Sequence, residues 1–208
     1  MSTESAAWLR PVTLEGRHVR LEPLAAAHVE SLARVALDPE LWRLTVASLL
    51  TLDDLRAYVD EALREAAAGA ALPFATVDVA TGQAIGSTRF GNAAPRDRRV
   101  EIGWTWLGRD WQRTAANTEA KRLMLGHAFE TMGCARVELK TDALNHRSRN
   151  AILRIGAREE GTLRKHMLVQ GGRWRDSVYF SILDDEWPAV RAALDQKLAR
   201  EPESAPVS

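Results

Sequence analysis

Residues 100–125 read VEIGWTWLGRDWQRTAANTEAKRLML, and this stretch decides the fold. A strand is predicted over 99–107. From Ala116 onward, Ala120, Leu123, Met124, Ala128 and Met132 recur at helical spacing until Gly133 stops them. Between strand and helix lies a short loop whose residues Gln112 to Asn117 are small or polar and include no proline, so every amide there carries a hydrogen. A helix start presents unpaired N–H groups and a partial positive charge, which suits a phosphate. Many α/β crossovers look like this, so the stretch alone names no ligand.

A second unit of the same kind follows at 142–161, DALNHRSRNAILRIGAREEG. The spacing predicts a strand over 134–142 and a short helix over 147–155 ended by Gly156. Asn145, Ser148 and Ile152, at i, i+3 and i+7, then face one way. Taken singly, Asn145 is a helix cap and Ser148 an exposed serine. Two such crossovers side by side are more informative than either.

Working outward, HVRLEPL (18–24) alternates as a strand, and Val29, Leu32, Ala33 and Ala36 form a helical stripe. Thr51 to Asp54 has capping-box spacing ahead of the apolar face Leu55, Val59, Ala62, Leu63 and Ala66, closed by Gly69. Strands are predicted over 72–79 and 84–92, joined near Thr81 and Gly82, and two more meet at Gly171 and Gly172. The order is strand, two helices, three strands, helix, strand, helix, two strands: a mixed α/β domain around one sheet.

Composition narrows the function. The 208 residues carry 28 basic and 28 acidic side chains, which excludes a nucleic-acid binder working by bulk charge. At 46% apolar and 27% charged, the chain is of ordinary globular make-up and one domain is expected. No run approaches the roughly 20 apolar residues that span a bilayer, and MSTESAAWLRPVTLEG is not a secretory leader, so the cytoplasm is the expected compartment. Cys134 is the single cysteine and the five histidines never pair at metal-ligand spacing, so no metal site is expected. Residues 1–14 are expected to form a flexible arm, 15–185 the domain, and 186–208 a C-terminal helix with a mobile tail.

The chain resembles the GNAT superfamily of N-acetyltransferases, and within it the branch that acetylates N-terminal alanines of ribosomal proteins. The resemblance spans roughly residues 15–185. It rests on LEGRHVRLEPL (14–24), EIGWTWL (101–107), NTEAKRLML (117–125), NHRSRNAILRIGAREEG (145–161) and GGRWRDSVYFSIL (171–183). It implies the GNAT fold, a twisted mixed sheet with splayed central strands flanked by helices, and acetyl-CoA as cosubstrate. By the same resemblance, Trp106 and Leu107 offer backbone groups to pantetheine. Gln112, Arg113, Thr114, Ala115, Ala116, Asn117 and Thr118 hold the pyrophosphate, with Arg147 and Arg149 near the CoA phosphates. Asn145 lies near the acetyl group, and Ser148 meets the departing thiolate. Glu160 is the preferred base, with Glu101 the alternative. A homodimer is common in this branch.

Two departures matter. Ala115 and Asn117 stand where the family's phosphate loop has glycines, and Ile152 stands where many members place a tyrosine acid. A thiol with pKa about 8.5 needs only about 2 kcal/mol of protonation help near neutrality, which a serine or water can supply. Deprotonating a lysine side chain at pH 7 costs about 4.6 kcal/mol, against about 1 for an α-amine. A protein or peptide N-terminus is therefore the leading acceptor. A small amine or aminoglycoside is the second, and a non-catalytic acyl-CoA-binding module is the rival from another class.

Overall fold

Two strands, β5 (Arg99–Leu107) and β6 (Arg136–Asp142), run parallel, and a parallel pair requires a crossover between them. The crossover is α3 (Ala115–Gly126), prolonged by a π turn over His127–Thr131. The Met132 amide donates to His127 O at 2.9 Å. Gly133, at φ 67°, lets the Cys134 amide turn back onto Ala128 O and close the helix.

The computed structural model describes residues 8–200. Ahead of β5 come β1 (Leu14–Glu15), β2 (Val19–Pro23), α1 (Val29–Ala36), α2 (Leu52–Ala67), β3 (Ala71–Asp78) and β4 (Ala84–Ala94). After β6 come α4 (His146–Arg154), β7 (Arg158–Val169), β8 (Arg173–Leu183) and α5 (Trp187–Arg200). The strands form one sheet in the order β1-β2-β3-β4-β5-β6-β8-β7, antiparallel everywhere except between β5 and β6. This is the mixed α/β architecture expected from the sequence. The Thr51–Asp54 capping box starts α2 as its spacing predicts.

Apolar alternation distributes the helices over two faces. On one, Met124, Leu125, Ile152 and Leu194 from α3, α4 and α5 pack on Leu21, Phe74, Phe90, Val137 and Phe180. On the other, Leu32, Leu55 and Val59 from α1 and α2 pack on Ala75, Val77 and Trp106. Within the stretch assigned to a flexible arm, Leu9 is buried in the first cluster and Leu14 pairs with Leu21. Apolar side chains at 9, 12 and 14 thus hold residues 8–14 down. The rest of that arm and the tail beyond 200 lie outside the described residues.

The gap that matters opens between β5 and β6. Their pairing ends at Glu101 opposite Glu138. On its other side, β5 carries a bulge, with Trp104 and Thr105 set against Thr88 and Trp104 held at φ 51°. A bulge bends its strand, which turns the second half of β5 away from β6. No described helix is long and apolar enough to cross a membrane.

Candidate active site

Glu101 sits at the foot of this divergence, 3% exposed. Its Oε2 accepts from Asn92 Nδ2 at 2.8 Å and from Lys140 Nζ at 2.9 Å, leaving Oε1 without a donor among the described residues. Oε1 faces Gly103, where a Cβ would come within 2.9 Å of it. Glycine there keeps the free oxygen accessible. The carboxylate is held by two donors on one oxygen and is open on the other, an arrangement suited to taking a proton.

At the far end of β5 the two crossovers meet through one side chain. Gln112 donates through Nε2 to Leu107 O at 2.9 Å and accepts from Arg147 Nη1 at 2.7 Å. Arg147, from α4, is thereby placed beside the start of α3. Exposed Arg113, at φ 65°, makes no hydrogen bond or ion pair with the described residues, and it adds a second positive charge there. Thr114 is the N-cap, its Oγ1 accepting from the Ala116 amide at 3.2 Å and donating to Trp111 O at 2.8 Å.

These details revise the amide count. The Ala116 amide is taken by Thr114, and the Gln112 amide donates to Arg109 O. Asn117 lies inside the first turn of α3 and is not its cap; with Ala115 it keeps an amide that the helix ladder does not use. Thr118 is one residue too deep, since its amide falls within the ladder and its hydroxyl accepts from Arg154 Nη2 at 2.7 Å. Leu107 O is occupied by Gln112. The Trp106 indole is buried against Trp42, ring centroids 5.3 Å apart, so Trp106 has only backbone to offer the gap.

On α4, Asn145 is the N-cap and its Oδ1 accepts from the Ser148 amide at 3.0 Å. The half-buried Ser148 hydroxyl has no partner among the described residues. Arg149 does not join Arg147. Two residues apart on a helix point in opposite directions, and Arg149 reaches Glu159 at 3.1 Å.

Glu160 does not fit the role of base. Arg136 grips it in a fork, at 2.6 and 2.5 Å, and Ser181 Oγ donates to Oε1 at 2.5 Å. The guanidinium, then the hydroxyl, hold its pKa down at about 2. Arg136 begins β6 at the paired end of the strands, opposite to where they part. Glu101 is the carboxylate at the gap.

Two further titratable side chains, Cys134 and His127, behave as packing. Cys134 is 1% exposed, with its thiol pushed up to about 12 by burial. His127 lies 6.1 Å from Phe90 in the π turn. Lys140, Tyr179 and Arg175 are not singled out by any motif, although VELKTD and RWRDSVYFS place a polar residue at every second position of two inner strands. On an inner strand that pattern marks a polar face that strand pairing alone cannot satisfy. Among the described residues no group of histidine, cysteine or carboxylate side chains is placed to hold a metal ion.

Residues 18–158 match the family described as acetyltransferase (GNAT) domain. A Bacillus subtilis (strain 168) protein, provisionally named ribosomal N-acetyltransferase YdaF, is 33% identical over 106 residues, which cover 51% of this chain and 57% of that one. The chain spans a little over half the length of the curated relatives it matches. The crystal structure of a GCN5-related N-acetyltransferase from Brucella melitensis superposes with TM-score 0.85 at 34% identity, covering 92% of this chain and 87% of that one. Mycobacterium smegmatis RimJ, solved in complex with CoA-disulfide, shares the fold at TM-score 0.77 and 23% identity, over 93% of this chain and 98% of its own.

Proposed function

The chain belongs to the GNAT family of N-acetyltransferases, and on that premise we propose that it transfers the acetyl group of acetyl-CoA to a primary amine, foremost the α-amine of a protein or peptide N-terminus. The observation that carries the reading is the parting of β5 from β6 directly beyond Glu101, with the start of α3 and Arg147 drawn together at its other end by Gln112. The residues fit the cosubstrate. The Ala115 and Asn117 amides, Arg113 and Arg147 would hold the diphosphate, and the unpaired edge of β5 would line the pantetheine arm. Bound there, acetyl-CoA supplies an activated acetyl thioester.

The remaining work falls to side chains of this protein. Glu101, through Oε1 or a water held on it, takes the proton that the attacking amine must lose. Ser148, whose hydroxyl has no partner among the described residues, donates a hydrogen bond to the departing thiolate and relays to it a proton taken up from water, while Asn145 fixes the turn that presents it. Placing the base at Glu101 favours an acceptor that loses its proton readily, and at pH 7 the α-amine is easier to deprotonate than a lysine side chain by about 3.6 kcal/mol. The name given to YdaF supports a ribosomal protein as acceptor. Such acceptors are made in the cytoplasm, where we place the activity; a homodimer also belongs to this reading.

Thiol release from acetyl-CoA, followed over a panel of N-terminal peptides, small amines and aminoglycosides, tests the proposal. Peptides with free α-amines are expected to turn over best, and Glu101→Gln to lower kcat by about 10²-fold or more. Turnover confined to small amines would move the acceptor class. Acetyl-CoA binding without turnover on any acceptor would leave only a binding module.

A further inference from the structure

The outer half of the sheet carries one charge too many. Val178, Phe180 and Ile182 of β8 point into the first core cluster. Alternation therefore sends Arg175, Ser177 and Tyr179 to the opposite face, together with Lys140 and Asp142 of β6. On that face Lys140 holds Glu101 at 2.9 Å and lies 5.7 Å from the Tyr179 ring centroid, while Arg173 holds Asp142. His166 reaches over from β7, its Nδ1 3.0 Å from Ser177 Oγ and its ring edge-on to Tyr179. Three cations, Lys140, Arg173 and Arg175, thus face two anions, and each anion is already paired.

Arg175 is the cation left over. It is 5% exposed, its Nε is buried without an acceptor, and its guanidinium makes no hydrogen bond or ion pair with the described residues. The strand register sets Ser177 opposite Asp142 at the end of β6, so Arg175, two residues further, lies past that end on the side where β5 and β6 have parted, within reach of the charges of Asp142 and Glu101. Other acids of this half-sheet are committed elsewhere: Glu138 to Arg99 and Arg136, Glu159 to Arg149, Glu160 to Arg136, and Asp176 to the Lys165 amide. A buried arginine whose Nε is shut from water without an acceptor is costly to keep, and a carboxylate is the partner whose geometry its fork matches.

We propose that Arg175 is an anion subsite for the acceptor, holding a carboxylate on the substrate whose amine approaches Glu101. The inference rests on the acetyl-transfer reading and narrows its substrate class to amines that also carry a carboxylate. That group is an acidic side chain just after a peptide N-terminus or the α-carboxylate of a free amino acid.

The experiment uses the full chain with acetyl-CoA and two matched pairs of acceptors. One pair is Ala-Glu-Ala-Ala amide and Ala-Gln-Ala-Ala amide; the other is alanine and alaninamide. In the wild type, one carboxylate-bearing member should show a kcat/KM at least tenfold above its neutral twin, most of it in KM, and the pair that shows it identifies the source. Arg175→Met should bring the ratio within twofold of unity, and Arg175→Lys should retain part of it. Equal ratios in wild type and Arg175→Met, or no preference in either pair while the neutral acceptors are acetylated, overturns the subsite.

Calorimetric titration with glutarate separates this failure from failure of the acetyl-transfer reading. If no acceptor is acetylated, glutarate binding that is lost in Arg175→Met still supports the site, and binding that is absent or unchanged overturns it. The melting temperature of Arg175→Met should equal or exceed that of the wild type, because no native partner is lost. A fall of more than about 5 °C, or failure to fold, would make Arg175 a structural residue and end the proposal.

Discussion

Replacing Lys121 by methionine should stabilise the protein, and by an amount that depends on pH in a defined way. Lys121 projects from α3 under β4 and β5 and is 5% exposed. Among the described residues its ammonium has only two hydroxyl partners, Thr105 Oγ1 at 2.6 Å and Thr88 Oγ1 at 3.2 Å, and no carboxylate. Burial pulls its pKa from 10.5 down to about 7. Between those two values the unfolded chain holds a proton that the folded one has released, so wild-type stability rises as pH climbs from about 7 to 10.5.

Below about pH 7 the buried group is charged in both states and the full burial penalty remains. At about 1.4 kcal/mol per pH unit, the interval corresponds to an upper bound near 5 kcal/mol. The two threonine hydroxyls and local relaxation offset part of this, and we expect a realised gain of about 2 kcal/mol for Lys121→Met at pH 6, or roughly 4–8 °C in Tm for a chain of this size. The gain should shrink steadily toward pH 10. Chemical denaturation of both proteins at pH 6, 8 and 10 provides the measurement. A variant less stable than wild type at pH 6, or a difference that stays constant across the series, would show that Lys121 is not held as a strained buried cation.

Other expectations follow from single contacts. Glu160→Gln should leave acetyl transfer within about threefold of wild type and cost about 1 kcal/mol at pH 7, the side chain being 41% exposed and its ion pair screened. That contribution is present above the ordinary glutamate range and disappears as pH falls through about 2, so acid unfolding curves of the two proteins should converge at low pH. A hundredfold loss of kcat would restore Glu160 as the base. Glu119 is buried and accepts from the amides of Arg17, His18 and Val19 at 2.9, 2.6 and 2.7 Å. Glu119→Ala strands three donors and should lower stability by about 3 kcal/mol or more in denaturant melts. Gly16→Ala should fail similarly, since its Cβ would come within 2.5 Å of Glu119 Oε2; near-wild-type stability in both would refute the clamp. Arg147→Ala should raise KM for acetyl-CoA roughly tenfold with little change in kcat, and an unchanged KM would remove the α4 arm from the cosubstrate site.

Much of this protein is legible in one dimension because its elements rest on local chemistry. The Thr51–Asp54 box, the helical stripe of α3 and the glycines at 133 and 156 specify where elements start and stop through hydrogen bonds within a few residues. Hydrophobic period alone separates strand from helix, and the order of elements follows. The two crossovers with Gln112, Asn145 and Ser148 are legible for the same reason.

What only the tertiary structure decides is the electrostatic state of each side chain, because its partners come from distant strands. Glu101 and Glu160 look alike in sequence, as carboxylates on strands. Lys140, 39 residues on, leaves one oxygen of Glu101 open, whereas Arg136 and Ser181 close both sides of Glu160. Arg147 and Arg149 differ by two positions and are divided by the helical turn between Gln112 and Glu159. Local periodicity determines which elements exist; strand register and the bulge at Trp104 and Thr105 determine which charges meet and which, like Arg175, are left without a partner among the described residues.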